Sequence, residues 1–216
     1  MVRFESKYSL NPINDNQFLS WLHTSRLGFK RCYDDRQVNS LYYDSFNCKA
    51  INDNIDGIAD RSKVRLRWYG ESKLPRFPNL EIKHKRNSLG FKSVFKFDEL
   101  ADFKNHNSLF RLLCEQLPEQ YKNYLLSCSY PQSIVRYNRA YFLSICKKIR
   151  ITIDDNINYS RQHSKNFDLK PLYPLNRNKI IEIKYDQEHK EYLASNLSNF
   201  PLRITKNSKY VNSFTI

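Results

Sequence analysis

Five stretches of this chain place charged side chains, mostly cations, at every second position. In "KVRLRWY", Lys63, Arg65 and Arg67 alternate with Val64, Leu66 and Trp68. Glu81, Lys83 and Lys85 alternate with Leu80 and Ile82, and Arg3, Glu5 and Lys7 with Val2, Phe4 and Ser6. Lys148 and Arg150 interleave with Ile149, Ile151 and Ile153, and Glu182, Lys184 and Asp186 with Ile181, Ile183 and Tyr185. Successive side chains of a strand point to opposite faces, so each stretch carries one apolar and one charged face. Guanidinium forks grip phosphate oxygens two at a time and ammonium groups add point charge. The chemistry such faces support is the binding of polyanions.

A half-solvated antiparallel strand, apolar inside and charged outside, has the same alternation. A solvated face normally mixes Thr, Ser, Gln and both charge signs, whereas these faces are dominated by Arg and Lys. Two guanidinium charges ~7 Å apart repel by roughly 2 kcal/mol at an effective dielectric near 20. Clustering them without matching carboxylates costs stability unless a polyanion fills the space. The pattern therefore predicts a sheet curled so that its cationic face lines an interior while helices cover its apolar face.

The elements that must position these residues are legible in outline. A strand over 2–9 precedes a helix starting near Asn14, with Phe18, Leu19, Trp21 and Leu22 on one side. "VNSLYYDS" reads as a strand, and Ile51, Asn54, Ile55 and Ile58 mark a short helix weakened by Gly57. A strand at 61–69 is followed by a hairpin of "NLEIKHKR" and "FKSVFKF" joined by "NSLG". Residues 107–128 read as two helices broken at Pro118. The strands "SIVRYNRAYFLS", "KIRITIDD" and "KIIEIKYD" follow, then a helix near 188–198. Loop 160–178 is polar, lacks periodicity and is expected to be flexible. About eight strands in this order predict an α+β fold built on an antiparallel sheet. No internal repeat or Pro/Ser linker divides the chain, so residues 1–216 are expected to form one domain.

The composition agrees with a packed chain seeking an anion. Of 216 residues, 40% are hydrophobic and 14% aromatic, enough for a core. Lys and Arg number 36 against 22 Asp and Glu, a formal net charge of +14, and such an excess opposes compaction by self-repulsion. Only 4 glycines are present, which excludes a Gly-rich phosphate loop. Five cysteines without a CxxC pair, and histidines without HxxxH or HExxH spacing, argue against a disulfide or zinc framework. The start "MVRFESKYSL" has no apolar leader and no segment reaches bilayer-spanning length, so a soluble cytoplasmic protein is expected. Trp68 and the many tyrosines are expected to pack rather than stack on bases.

The stretches "FESKY" at 4–8, "SLYYDS" at 40–45, "KVRLRWY" at 63–69, "LEIKHKR" at 80–86, "YNRAYF" at 137–142, "RITIDDNI" at 150–157, "IIEIKYD" at 180–186 and "KNSKY" at 206–210 together resemble, in order, the VTC domain. That family holds the polyphosphate polymerase domain of the vacuolar transporter chaperone complex, within the triphosphate tunnel metalloenzyme superfamily. The resemblance implies an antiparallel β-barrel tunnel with a charged interior, flanked by helices. It assigns Lys7, Arg65, Arg67 and Lys83 to phosphate contacts, with Arg139 and Arg150 as further basic wall positions and Lys206 and Lys209 as the closing lysine pair. Arg65, Arg67, Lys83, Arg139 and Arg150 are the catalytic candidates. Arg3, Glu5, Lys7, Lys92, Lys96, Lys184, Lys206 and Lys209 are the substrate-binding candidates. Glu182 matches the glutamate that holds Mn²⁺ or Mg²⁺ against the triphosphate. Arg136, on the opposite parity to Arg139, belongs at the rim or outside.

Two departures from the family pattern matter. The hairpin's "KSVK"-like run reads Lys92-Ser93-Val94-Phe95-Lys96, with Phe95 where the second lysine would stand, so that Lys96 could substitute only through a bulge or a shift of register. The hydrolases and cyclases of the superfamily begin with ExExK, whereas here Arg3 replaces the first glutamate, which favours polymerase over hydrolase. The implied reaction moves the γ-phosphate of ATP to a growing polyphosphate chain. Phosphoryl transfer proceeds through a loose transition state that needs positioning and charge more than a strong base. The alternatives are a tripolyphosphate or nucleoside-triphosphate hydrolase, a module that binds polyphosphate without making it, and a nucleic-acid binder. Nucleic acid is not the expected partner, because nucleic-acid binders usually present an exposed basic stripe interleaved with aromatics. No SPX-like or transmembrane part is seen, so coupling to translocation would require a membrane partner.

Overall fold

Residues 3–86, 89–171, 177–197 and 199–215 are described in a computed structural model of the chain, with side chains for all of these except Arg3 and Leu89. The alternating stretches form strands β1 (Arg3–Leu10), β2 (Lys30–Asp44), β3 (Asp60–Tyr69), β4 (Asn79–Arg86), β5 (Leu89–Lys96), β6 (Tyr130–Leu143), β7 (Ile149–Arg161) and β8 (Lys179–Asp186). The helical stretches form α1 (Asp15–Thr24), α2 (Lys49–Ile55), α3 (His106–Gln116), α4 (Glu119–Ser127), α5 (Lys190–Asn196) and α6 (Lys209–Thr215). The strands share a sheet in the order β1-β8-β7-β6-β2-β3-β4-β5. The ladders β1–β8, β7–β8, β2–β3, β3–β4 and β4–β5 are antiparallel. The class is α+β, with β1 and β5 at the two ends of the hydrogen-bonding order among the described residues.

Local chemistry sets the boundaries. Asn11 accepts the Ile13 N–H at 3.1 Å and opens a 3-10 turn that leads into α1. Asn105 and Ser108 form a reciprocal capping box on α3. Pro118 has no N–H with which to continue that helix, and the chain restarts as α4. Asp44 serves α2 from a distance: its Oδ1 accepts the N–H of Ala50 at 2.9 Å and its Oδ2 that of Ile51 at 3.3 Å.

The chain divides into two compact units, and β2, β6 and β7 each run from one into the other. The first takes Met1–Arg36, Tyr137–Ile157 and Asn176–Asn207, and the second Gln37–Arg136, Asn158–Leu175 and Ser208–Ile216. In the first, Tyr8, Leu10, Ile151, Ile181 and Ile183 of the strands pack against Phe18, Trp21 and Leu22 of α1 and Leu193 of α5. In the second, Leu41, Val64, Leu66, Trp68, Leu80 and Ile82 meet Leu109 and Leu113 of α3 and Leu125 of α4. Each such aliphatic side chain stabilises its unit by about 1.5–3 kcal/mol. In both units the alternation is resolved the same way, with the apolar parity under helices.

Two expectations are revised. Strand β2 begins at Lys30, well before Val38; residues 30–36 are almost wholly exposed, so no buried apolar alternation marks them in the sequence. The described part of loop 160–178 is pinned. Gln162, which is buried, donates to the carbonyls of Ser160 at 3.0 Å and Asp168 at 2.6 Å and accepts the Asp168 N–H at 2.9 Å. The ring of Phe167 packs 4.2 Å from that of His106. One glutamine's hydrogen bonds order this segment, a cause that periodicity does not register. All five cysteines are free, and no helix among the described residues is long and apolar enough to cross a membrane.

Candidate active site

In the second unit the register sets Tyr42 of β2 opposite Arg65 of β3, Arg65 opposite Glu81 of β4, and Lys63 opposite Lys83. Strand β5 sets Lys92 opposite Lys83 and Lys96 opposite Asn79. Glu81, only 3% exposed, is the hub. Its Oε2 accepts from Arg65 Nε at 2.7 Å, its Oε1 from Lys92 Nζ at 2.7 Å, and Arg67 Nη1 stands 3.5 Å from Oε1. Burial alone would raise the Glu81 carboxyl, but Arg65, Arg67 and Lys92 outweigh it and hold the group well below the usual carboxylate range. Burial pushes the Lys92 ammonium down, and Glu81 offsets part of that shift.

The same unit braces these groups from behind. Arg65 Nη1 donates to the Tyr42 hydroxyl at 3.1 Å, and the Tyr42 ring stacks on Tyr210 at 4.7 Å. The Tyr210 hydroxyl donates to Asp44 Oδ2 at 2.8 Å. The "SLYYDS" stretch therefore anchors α6, whose first residue, Lys209, is buried. Lys63 Nζ donates to Asn54 Oδ1 at 2.6 Å and Ser208 Oγ at 2.9 Å. Lys63, Lys83 and Lys92 thus stand directly opposite one another on three neighbouring strands. Like charges in that relation are destabilising.

Lys96 shares the face of Lys92, and the β4–β5 register is unbroken, so no bulge or shift is needed to bring it there. Phe95 turns the other way, 4.9 Å from the Phe97 ring and 5.7 Å from that of Tyr121. Arg136 donates to the Leu169 carbonyl at 3.1 Å, against the loop that packs on the apolar cluster.

In the first unit Glu5 lies opposite Lys184, Lys7 opposite Glu182, Arg150 opposite Lys184 and Thr152 opposite Glu182. Lys7 Nζ is 3.1 Å from Glu5 Oε1 and 3.8 Å from Glu182 Oε1. Lys184 Nζ is 3.1 Å from Glu182 Oε2 and 3.5 Å from Glu5 Oε2. Arg139 forks onto Asp154 at 2.5 and 2.6 Å and reaches Glu182 Oε2 at 3.4 Å, its guanidinium 5.2 Å from the Tyr137 ring centroid. Burial works against the Arg139 charge, but Tyr137, Asp154 and Glu182 more than offset it and the group stays cationic. Thr205 N–H donates to the Lys7 carbonyl at 2.8 Å and Lys7 Nζ to the Asn207 carbonyl at 3.1 Å; between them Lys206 is exposed. Arg150 is partly buried and has no carboxylate within ion-pair distance among the described residues. Arg3 sits opposite Asp186 in register, and its side chain lies outside the described ones.

The expectation of cations poorly matched by carboxylates is corrected here. Arg65, Arg67 and Arg139 each lie against a buried carboxylate, Glu81 or Asp154, neither of which the sequence reading chose as a site residue. Their signal was present in the alternation of Glu81 with Lys83 and of Asp154 with Arg150. What was missing was knowledge of which strands are neighbours.

The donor set bears on a divalent metal. Glu5 and Glu182 present hard carboxylate oxygens bridged by Lys7 and Lys184. No group of three or more His, Cys, Asp or Glu able to hold a metal occurs among the described residues. Carboxylate oxygens of this kind hold Mg²⁺ when substrate phosphates and water complete its shell.

Comparison with known proteins places this arrangement. A candidate adenylate cyclase from Vibrio parahaemolyticus superposes with a TM-score of 0.54 at 13% identity, covering 100% of this chain and 99% of its own. A candidate adenylyl cyclase from Hippeastrum, described as having a dominant triphosphatase activity, gives 0.56 at 12% identity, covering 100% and 96%. A protein from Pyrococcus horikoshii OT3 gives 0.53 at 14% identity, covering 99% and 98%. At such identities the likeness concerns the fold. No curated protein sequence matches the chain. The model of the VTC domain matches residues 2–216, and the chain belongs to that family.

Proposed function

We propose that the protein is an ATP–polyphosphate phosphotransferase, moving the γ-phosphate of ATP to a growing inorganic polyphosphate chain and releasing ADP. The observation that carries the reading is the cross-strand row Lys63, Lys83 and Lys92 beside Arg65, Arg67 and Glu81. Arg65, Arg67 and Lys92 converge on Glu81, and lysines facing one another on neighbouring strands repel. A phosphate chain bound along this face offsets that repulsion.

In this reading Arg65, Arg67 and Lys83 hold the transferring phosphates in the second unit, with Lys92, Lys96 and Lys209 as supporting contacts. Arg139 and Arg150 stabilise charge in the first unit, with Arg3, Glu5, Lys7, Lys184 and Lys206 as substrate contacts. Arg139 is fixed by its fork on Asp154, and a pre-set guanidinium costs little reorganisation when charge spreads over the transferring group. Glu182, with Glu5 beside it, would hold Mn²⁺ or Mg²⁺, which neutralises charge on bridging phosphate oxygens when bound. The terminal phosphate of the acceptor is already anionic at neutral pH, so no strong general base is required of this chain.

The test is incubation of the purified protein with ATP and Mn²⁺. The expected product is a long anionic polymer that resists nucleases and is degraded by exopolyphosphatase, with ADP released in step. Orthophosphate as the sole product would support a triphosphate hydrolase. That second reading draws on the triphosphatase activity described for the Hippeastrum protein and on the paired carboxylates Glu5 and Glu182. Binding of polyphosphate without turnover would support a binding module.

A further inference from the structure

Strand β5 lies at one end of the hydrogen-bonding order and has a single strand neighbour, β4, among the described residues. The opposite end is covered in part: Tyr8 of β1 bridges Ile204, and the Lys7 carbonyl takes the Thr205 N–H. Which β5 groups are left over follows from the ladder. Phe97 N–H donates to the Pro78 carbonyl at 3.0 Å, one step beyond the Asn79–Lys96 pair and in the same register. Opposed residues of an antiparallel pair alternate between hydrogen-bonded and non-hydrogen-bonded. Phe95, Ser93 and Phe91 therefore aim their backbone groups at β4, while Lys96, Val94, Lys92 and Gly90 aim theirs away from it.

Nothing along this edge bends it out of use. Residues 89–96 contain no proline, and the register runs unbroken from Asn79–Lys96 to Arg86–Leu89, without a bulge. An edge of this kind is a template for a further strand. Its two faces differ. Phe91, 58% exposed, shares a face with His84 opposite it, whose ring meets that of Tyr124, itself 42% exposed, at 4.7 Å. The other face carries Lys92, Val94 and Lys96, and Lys85 stands there opposite Gly90, which has no side chain to screen it. Every exposed charge from Asn79 to Lys96 is a cation: Lys83, Lys85, Arg86, Lys92 and Lys96. The one carboxylate in that stretch, Glu81, is buried. A second copy of the chain is a poor occupant. Antiparallel self-pairing centred on Val94 would set Lys92 of one copy against Lys96 of the other, and like charges directly opposed are destabilising.

We propose that the β5 edge docks an extended acidic segment of a partner protein, which joins the sheet as a further strand. Acidic side chains at alternate positions of that segment meet Lys92 and Lys96, and apolar ones between them meet Phe91 and Tyr124. The outward backbone groups of Gly90, Lys92, Val94 and Lys96 supply the hydrogen bonds, and side-chain parity supplies the selection. Such docking does not depend on the phosphotransfer reaction.

The probe is a labelled peptide alternating Glu and Val over the length of β5, with a control of the same composition whose Glu and Val residues are grouped in two blocks. Binding to the full chain is measured by fluorescence anisotropy at fixed ionic strength, and amide hydrogen exchange is followed residue by residue with and without peptide. The alternating peptide is expected to bind roughly tenfold more tightly than the control. It is expected to protect the amides of Lys92, Val94 and Lys96, which exchange freely in the protein alone, whereas β4 protects those of Phe91, Ser93 and Phe95 throughout. Val94→Pro removes one outward N–H and spares the ladder to β4, so it is expected to weaken the alternating peptide roughly tenfold. No binding of the alternating peptide would overturn the docking edge, and equal binding of both peptides would do so by reducing the effect to charge attraction. Outward amides that are already protected in the free protein, or that gain no protection with peptide, would overturn it as well. So would a folded Val94→Pro chain that binds as tightly as the parent; if that variant fails to fold, exchange in the parent chain decides.

Discussion

Glu81 and Asp154 show how one side chain decides the behaviour of several. Asp154, fully buried, meets Arg139 two bonds for two, which fixes a single guanidinium in one pose. Glu81 instead meets Arg65, Arg67 and Lys92 at once and draws three cations together on one face. The Glu81→Gln substitution leaves these cations without their counter-charge and is expected to cost about 3 kcal/mol at neutral pH. Because the Glu81 carboxyl is depressed below its ordinary value of 4.5, its stabilisation is present in full above that pH. It is lost as pH falls through the depressed folded value. The gap between parent and Glu81→Gln is therefore expected to be widest above about pH 5 and to narrow under acid. Urea unfolding at a series of pH values measures it, and a pH-independent gap would contradict the assignment.

At the scale of elements, the β4–β5 hairpin explains the family departure at Phe95. With Lys92 and Lys96 on one face, Phe95 turns to the other, where it meets Phe97 and Tyr121. A lysine at 95 would have to bury its ammonium among these rings. Phe95→Lys, the change that would restore the family's letter, is expected to destabilise the fold by about 2–3 kcal/mol without tightening phosphate binding. A denaturant midpoint and a tripolyphosphate titration on the same variant check both halves. The hairpin itself was readable from two alternating runs around "NSLG". The first half of β2 was not, because a strand exposed on both faces carries no buried apolar rhythm. The pinning of loop 160–178 by Gln162 was equally hidden, since a side chain's hydrogen bonds depend on which backbone arrives beside it.

For the molecule as a whole, a formal net charge of +14 means that folding gathers like charges at an electrostatic cost. A ligand that binds only the folded state and carries opposite charge should stabilise it by mass action, about 2.7 kcal/mol at a hundredfold excess over Kd. For a chain of this length that corresponds to a rise in Tm of roughly 5–10 °C with tripolyphosphate. Thermal unfolding with tripolyphosphate and with sulfate at matched ionic strength checks this. An equal rise with both anions would reduce the effect to general screening.

The alternation of charge and apolar side chains, and hence which residues can share a face, was settled by the sequence itself, because the two-residue period of a strand is a property of the local backbone. The helix between Asn105 and Pro118, the β4–β5 hairpin and β8 followed from equally local rules of capping, turns and branched side chains. The partner of each cation was decided only by the tertiary structure. Arg65 finds Glu81 across 16 positions and Arg139 finds Glu182 across 43, and such meetings depend on strand order. That order is set by how the apolar faces pack beneath the helices, a condition that no window of sequence contains.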